Sequence, residues 1–309
     1  MNAHSRPAAI TPAPFSLAPL DFGLYATTVF FWGISWYALK FQIGVVAPEV
    51  SVAYRFAAAA TIMFAIVIVT KRRLVFPLTD HLRFAALGLF LFSTNFTMFY
   101  YAAGYLISGL LAVVITLAVV FNIVLSAILF RTPIEGRVAL GALLGIFGVG
   151  LLVWPEIART DIGAQVLIGL GFSVAGTVSF SLGNMVSASI QARGLPNYSS
   201  TAWGMFYGAT ALTLVALISG SRFNFDFSVG YISTMAYLVV CGSVLVFICY
   251  LTLLGRIGSS RASYATVMFP VVALIVSGLF EGYQWSLFTV AGLTCAIAGN
   301  VLVMTARRK

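Results

Sequence analysis

Residues 107–130 read ISGLLAVVITLAVVFNIVLSAILF, an unbroken run with no charged side chain. At 1.5 Å per residue a helix of this length extends about 36 Å, enough to cross a hydrocarbon layer of about 30 Å. A membrane-crossing strand needs only about 10 residues and alternates apolar with polar positions, a pattern this run lacks. The stretch predicts a transmembrane helix. Breaks at charges, prolines and Gly-polar clusters separate ten comparable runs, near 21–43, 50–69, 82–104, 107–130, 136–154, 162–190, 199–219, 231–254, 261–280 and 286–305. The weakest boundary lies between the third and fourth, where only Gly104 to Gly109 marks a reversal.

Composition gives the same answer. The 309 residues are 61% hydrophobic and 8% charged, with mean hydropathy +1.03. A soluble domain carries about 25% charged residues to keep its surface hydrated. Lipid is therefore the solvent for most of the chain, and lipid admits only helices or closed barrels. The net charge of +9 does not form a nucleic-acid patch, because the basic residues sit in short gaps between apolar runs. Cys241, Cys249 and Cys295 lie inside apolar stretches without a CxxC pair, so they read as packing residues rather than disulfides or zinc ligands. Residues 1–20 carry Pro7, Pro12, Pro14 and Pro19 and are expected to form a disordered tail rather than a signal peptide.

With both termini in the cytoplasm, as ten spans require, thirteen Lys and Arg fall on the inner side. Only Lys40, Arg159 and Arg222 fall on the outer side, and Arg55 lies within the second run. This is the positive-inside bias that sets topology. The halves also resemble one another at a nearly constant offset. Pro48 to Ser51 match Pro196 to Ser199 at 148; Tyr101 matches Tyr250 at 149; Thr116 matches Thr266 at 150; Gly141 to Gly148 match Gly292 to Gly299 at 151. Five helices per half is an odd number, so the halves enter the membrane in opposite senses, an arrangement of secondary transporters with a midplane substrate site. The expected fold class is an all-α integral membrane protein: ten transmembrane helices as two inverted five-helix repeats around a central cavity. Residues 21–155 form the first repeat and 156–309 the second, behind the tail at 1–20.

Trp32-Gly33-Ile34-Ser35-Trp36, then Pro48, then Tyr54-Arg55-Phe56 resembles the opening of the drug/metabolite transporter superfamily. Pro270, Gly278 to Glu281, Gly292 and Gly299 are similar to the end of that family's five-helix repeat. The ten-helix EamA-type form and the aromatic richness most resemble the YddG aromatic amino acid exporters. The resemblance implies a bacterial inner-membrane exporter of aromatic or other hydrophobic amino acids, with another metabolite or a lipophilic drug as the alternative. The halves differ at one point, Phe130-Arg131 against Phe280-Glu281. The small multidrug branch relies on a glutamate within its first helix, and this sequence has none there.

All eight carboxylates lie at run ends or in loops, and His4 and His81 lie outside the runs. Intramembrane acids and histidines are the usual proton relays and metal sites, so no metal or cofactor is expected. No catalytic residues are expected either, because no acid, base or nucleophile pair shares one depth. A lipid-modifying enzyme would have to work with Asp21, Asp80, His81 or Glu135 at the inner surface. What the midplane offers is amides, hydroxyls and rings: Trp32, Ser35, Trp36, Asn95, Phe99, Asn122, Asn184, Ser243, Phe247 and Tyr250. Such a lining suits a substrate with an apolar or aromatic side chain and a small polar head. Each of these residues also has a plain structural reading, as an interhelical hydrogen bond or an interfacial anchor.

Lys40 and Arg55 are the candidate cations of the outer mouth, where either could draw in a substrate carboxylate. For Arg55 the sequence favours holding Glu49 or a helix C-terminal carbonyl. Gly141 with Gly145 and Gly204 with Gly208 predict close helix approach within a monomer. Gly145, Gly148 and Gly150 do not form a nucleotide fingerprint, because no strand precedes them. The partners expected are the small-molecule substrate and the bilayer, with no nucleic acid.

Overall fold

The computed structural model describes residues 18–131, 134–158, 163–257 and 264–304. The expectations for most of the N-terminal tail, for Arg159, Asp161 and Arg261, and for the last basic cluster lie outside them.

Ten helices follow in chain order, with no strand among the described residues. They are α1 (Pro19–Lys40), α2 (Pro48–Val69), α3 (Leu78–Ala102) and α4, which runs from Ser108–Val114 through a 3-10 turn at Ile115–Leu117 into Ala118–Phe130. After them come α5 (Gly136–Ile157), α6 (Gly163–Ala192) and α7 (Asn197–Ile218). The last three are α8 (Val229–Val239, Val240–Leu245 and Val246–Ile257), α9 (Tyr264–Phe280) and α10 (Leu287–Met304). α1 begins two residues earlier than the apolar run, because Pro19 fits a first helical turn, where its missing N–H has no bond to lose. Pro48 opens α2 in the same way. α2 to α8 are each long and apolar enough to cross a membrane by length and composition, and the described parts of α9 and α10 are shorter apolar helices. α1 has the length of α2 but trades aliphatic side chains for Trp32, Trp36, Tyr25 and Tyr37.

Two features do not show in the apolar pattern. α3 widens to a π-helical segment at Gly88–Thr94, and α8 does the same at Val240–Leu245. A π-turn swallows one extra residue and loosens the carbonyl ladder, which frees backbone groups for other partners.

The helices pair reciprocally. α1 packs on α8 and α9, while α6 packs on α3 and α4. α2 packs on α7, α5 on α10 and α4 on α9; the π-turn of α3 lies on α7 and that of α8 on α2. Adding five to each helix number, and subtracting it in the second half, turns every one of these pairings either into another of them or, for α2–α7, α4–α9 and α5–α10, into itself. α5 and α10 cross antiparallel with backbones nearly touching: a Cβ on Gly141 would stand 2.7 Å from the Gly299 carbonyl oxygen, and one on Gly148 2.6 Å from that of Gly292. Gly204 and Gly208 likewise admit α3, since a Cβ on Gly88 would meet the Gly204 oxygen at 2.6 Å. Gly204 and Gly208 thus serve packing inside one chain, as does Gly141, but Gly145 has open space where a Cβ would stand and Gly148 makes the second close contact of α5.

Candidate functional site

Five of the aromatic candidates meet around α1. Trp32 faces Phe247 at 5.9 Å, Tyr250 at 5.4 Å and Phe269 at 6.1 Å between ring centroids. One turn further on, Trp36 takes Phe99 edge-on at 4.9 Å and stacks on Phe269 at 6.2 Å. Phe247 continues the chain of rings to Phe92 at 5.6 Å. The separations and tilts are those of edge-to-face and offset pairs, where each ring's positive rim meets another's negative face. Trp32, Trp36, Phe247 and Tyr250 are half-buried, whereas Phe99 is buried.

Phe269 and Phe92 were not among the sequence candidates. For Phe269 a signal existed: counting back from Phe280 puts it about 16 Å into α9, the depth that singled out Trp32.

The polar candidates divide into groups. Ser35 donates to the Phe31 carbonyl at 2.6 Å and lies against Gly242 of α8, whose Cβ, if present, would stand 2.7 Å from the Ser35 oxygen. On the far side of Gly242, Ser243 is fully buried; its hydroxyl donates to Leu238 O at 2.9 Å and accepts from Arg55 Nε at 3.1 Å. Asn95, just past the π-turn of α3, donates to Leu91 O at 3.2 Å, while its buried Oδ1 has no partner among the described residues. Asn122 and Asn184 belong to the neighbouring α4–α6 pair, near the contacts Ser181 to Ala118 and Ser126 to Met185. Both are half-buried, and the Asn122 Oδ1 lacks a partner among the described residues.

The two cations have specific partners. Lys40 Nζ donates to Ala103 O at 2.6 Å and Leu106 O at 3.0 Å, so it satisfies the last carbonyls of α3 and of the short reversal behind it. Glu281 accepts from the backbone N–H and hydroxyl of Ser108 and caps the start of α4 at the same end. Arg55 is 2% exposed and lies over the Phe96 ring at 4.6 Å. Its backbone partner is Gly242 O of the α8 π-turn, at 3.4 Å, and not Glu49, which accepts from Tyr101 and Ser221. At the opposite end of α1, buried Asp21 pairs with Arg256 at the end of α8.

Exposure differs within the site, and Ser35 and Trp36 are half-buried. Arg55, Phe99, Ser243 and Tyr100, toward the Lys40 end, are all buried. Trp32, Phe247, Tyr250, Asn122 and Asn184, toward the Asp21 end, are half-buried. Two clefts of about 340 Å³ lie elsewhere: one between α3 and α6 beside Arg83 and Ser189, the other between α2 and α7 beside Thr61 and Thr210. Among the described residues, no three His, Cys, Asp or Glu side chains gather as a metal site.

The EamA-like transporter family model matches this chain twice, at residues 22–154 and again at 167–305. The chain belongs to the EamA-like transporter family. A protein named as an uncharacterized transporter from Archaeoglobus fulgidus is 27% identical over 91% of this chain and 98% of its own length. The uncharacterized transporter YyaM of Bacillus subtilis is 27% identical over 87% of this chain and 88% of its own. Protein PagO of Salmonella typhimurium is 23% identical over 89% and 90%. A solved crystal structure shares the fold with a TM-score of 0.66 at 16% identity, covering 91% of this chain and 95% of the other. The molecule is accordingly a multi-pass membrane transporter with a ten-helix fold, and its double match to one family model falls on its two halves.

Proposed function

We propose that this transporter exports aromatic or other hydrophobic amino acids, or similar small metabolites, by alternating access between two inverted five-helix repeats. In this reading the chain resembles the YddG exporters in substrate class, acts as a monomer in a bacterial inner membrane, and keeps both termini in the cytoplasm. The observation that carries it is the ring cluster of Trp32, Trp36, Phe99, Phe247, Tyr250 and Phe269, at the junction of α1, α3, α8 and α9. An aromatic or thioether side chain finds there the edge-to-face surface that it loses on leaving water. The reciprocal helix pairing and the double family match support the repeat, because a rocking mechanism needs two comparable halves.

The test is counterflow of labelled phenylalanine, tryptophan and methionine into vesicles carrying the purified protein, with and without a pH gradient. Saturable exchange of at least one of them is expected. Exchange of an unrelated solute with none of the three would remove the substrate class and keep the transporter.

A further inference from the structure

The buried end of the site is rich in donors and poor in acceptors. Arg55 carries five N–H donors and one full positive charge. Its bonds go to Ser243 Oγ and Gly242 O, and among the described residues no carboxylate pairs with it. Ser243 spends its own hydrogen on Leu238 O. The Tyr100 hydroxyl lies beside the same guanidinium, is 1% exposed, and finds no acceptor among the described residues. A buried cation without a counter-charge and a buried phenol without an acceptor each cost free energy. One added group with negative oxygens relieves both. Intramembrane cations of this kind mark substrate paths.

We propose that Arg55 and Tyr100 form a carboxylate subsite at the π-turn of α8. It takes the head group of a small organic acid or zwitterion whose apolar side chain lies on the Trp32–Trp36 rings. The assignment rests on the transporter reading above and names the polar half of its substrate. The route from rings to cation runs past Gly242, which bears no side chain: a Cβ there would sit 2.7 Å from Ser35 Oγ and 3.6 Å from Arg55 Nη2. The bare backbone of the π-turn is the thin wall between the half-buried α1 face and the guanidinium. In this conformation Ser243 Oγ takes Nε and the Gly242 carbonyl holds Nη2 at 3.4 Å, the long bond of the two; a substrate carboxylate would replace Gly242 O at Nη2 and add a parallel bond from Nη1.

The test measures thermal unfolding of the purified full chain in detergent against benzoate, benzylamine and chloride at matched ionic strength. Benzoate is expected to raise the melting temperature, and benzylamine and chloride are not. Tyr100→Phe removes one oxygen that finds no acceptor among the described residues, so it keeps its stability while the half-saturating benzoate concentration rises about tenfold. Arg55→Gln abolishes the benzoate shift if it folds, and Tyr100→Phe carries the test if it does not. Equal benzoate affinity in Tyr100→Phe and wild type overturns the subsite, as does a wild-type response that chloride or benzylamine reproduces, or no benzoate shift at all. A benzoate shift without phenylalanine counterflow keeps the subsite and removes the amino acid substrate. Counterflow without a benzoate shift does the reverse.

Discussion

Asn95 holds a buried amide oxygen with no partner among the described residues, and an unmade bond of that kind costs about 1–3 kcal/mol. A residue kept only for packing would gain by losing that oxygen. Asn95→Leu is therefore expected to melt at or above the wild-type temperature in detergent while its amino acid flux falls severalfold. Unchanged flux would strip Asn95 of any substrate role. Trp32 gives the complementary case, since three ring contacts of about 0.5–1.5 kcal/mol each converge on it. Trp32→Ala should lower flux by about tenfold or more, with Trp154→Ala, which is exposed on α5, staying within about twofold of wild type. Equal flux in the two tryptophan variants would place the substrate elsewhere than on the rings. The ring residues were legible in the sequence because depth along a helix follows from counting. The partners of Arg55 and Lys40 were not. Gly242 lies 187 residues from Arg55, and nothing local marks it. The reversal after α3 is too short to satisfy its own carbonyls, so Lys40, expected at an open mouth, serves them.

The helices themselves were readable because apolar length is a strong signal, and the glycine spacing of α5 and α7 announced close helix approach without naming the partner helices. The π-turns of α3 and α8 were hidden, since one surplus residue inside an apolar run changes neither length nor composition. Their role is nonetheless specific. One admits Gly204 and Gly208 of α7, and the other receives Arg55 of α2. The α5–α10 crossing yields a sharp comparison within one helix. Gly148→Ala drives a methyl to 2.6 Å from the Gly292 oxygen and 2.5 Å from Ala296 N, backbone atoms that cannot swing aside. Overpacking of this sort costs about 1–3 kcal/mol. Gly150→Ala meets nothing within 4 Å and gains helix propensity. The expected order of detergent melting temperatures is Gly150→Ala at or above wild type, and Gly148→Ala clearly below. The reverse order, or no difference, would mean that the two helices do not meet through these glycines.

The whole bundle is tied at both ends of α1, by Asp21 to Arg256 of α8 and by Lys40 to the α3–α4 reversal beside Glu281. The site residues between them differ in exposure: Arg55, Phe99, Tyr100 and Ser243 are buried, whereas Trp32, Ser35, Trp36, Phe247 and Tyr250 are half-buried. The tied Lys40 end is expected to be the shut one, which labelling from each side tests. In a background lacking the three native cysteines, Asn184→Cys and Tyr250→Cys should react with a water-soluble maleimide from the Asp21 side, and Tyr100→Cys from neither. Lys40 supplies two bonds from a charged donor, each worth about 1.5–3 kcal/mol. Half of their sum would shift a two-state equilibrium by about 10- to 150-fold. Lys40→Met is therefore expected to expose Tyr100→Cys to the maleimide from the Lys40 side and to slow labelling of Tyr250→Cys. If Lys40→Met instead leaves both labelling patterns unchanged while the protein stays folded, the ammonium only caps α3, and the closure of that end must come from the packed rings.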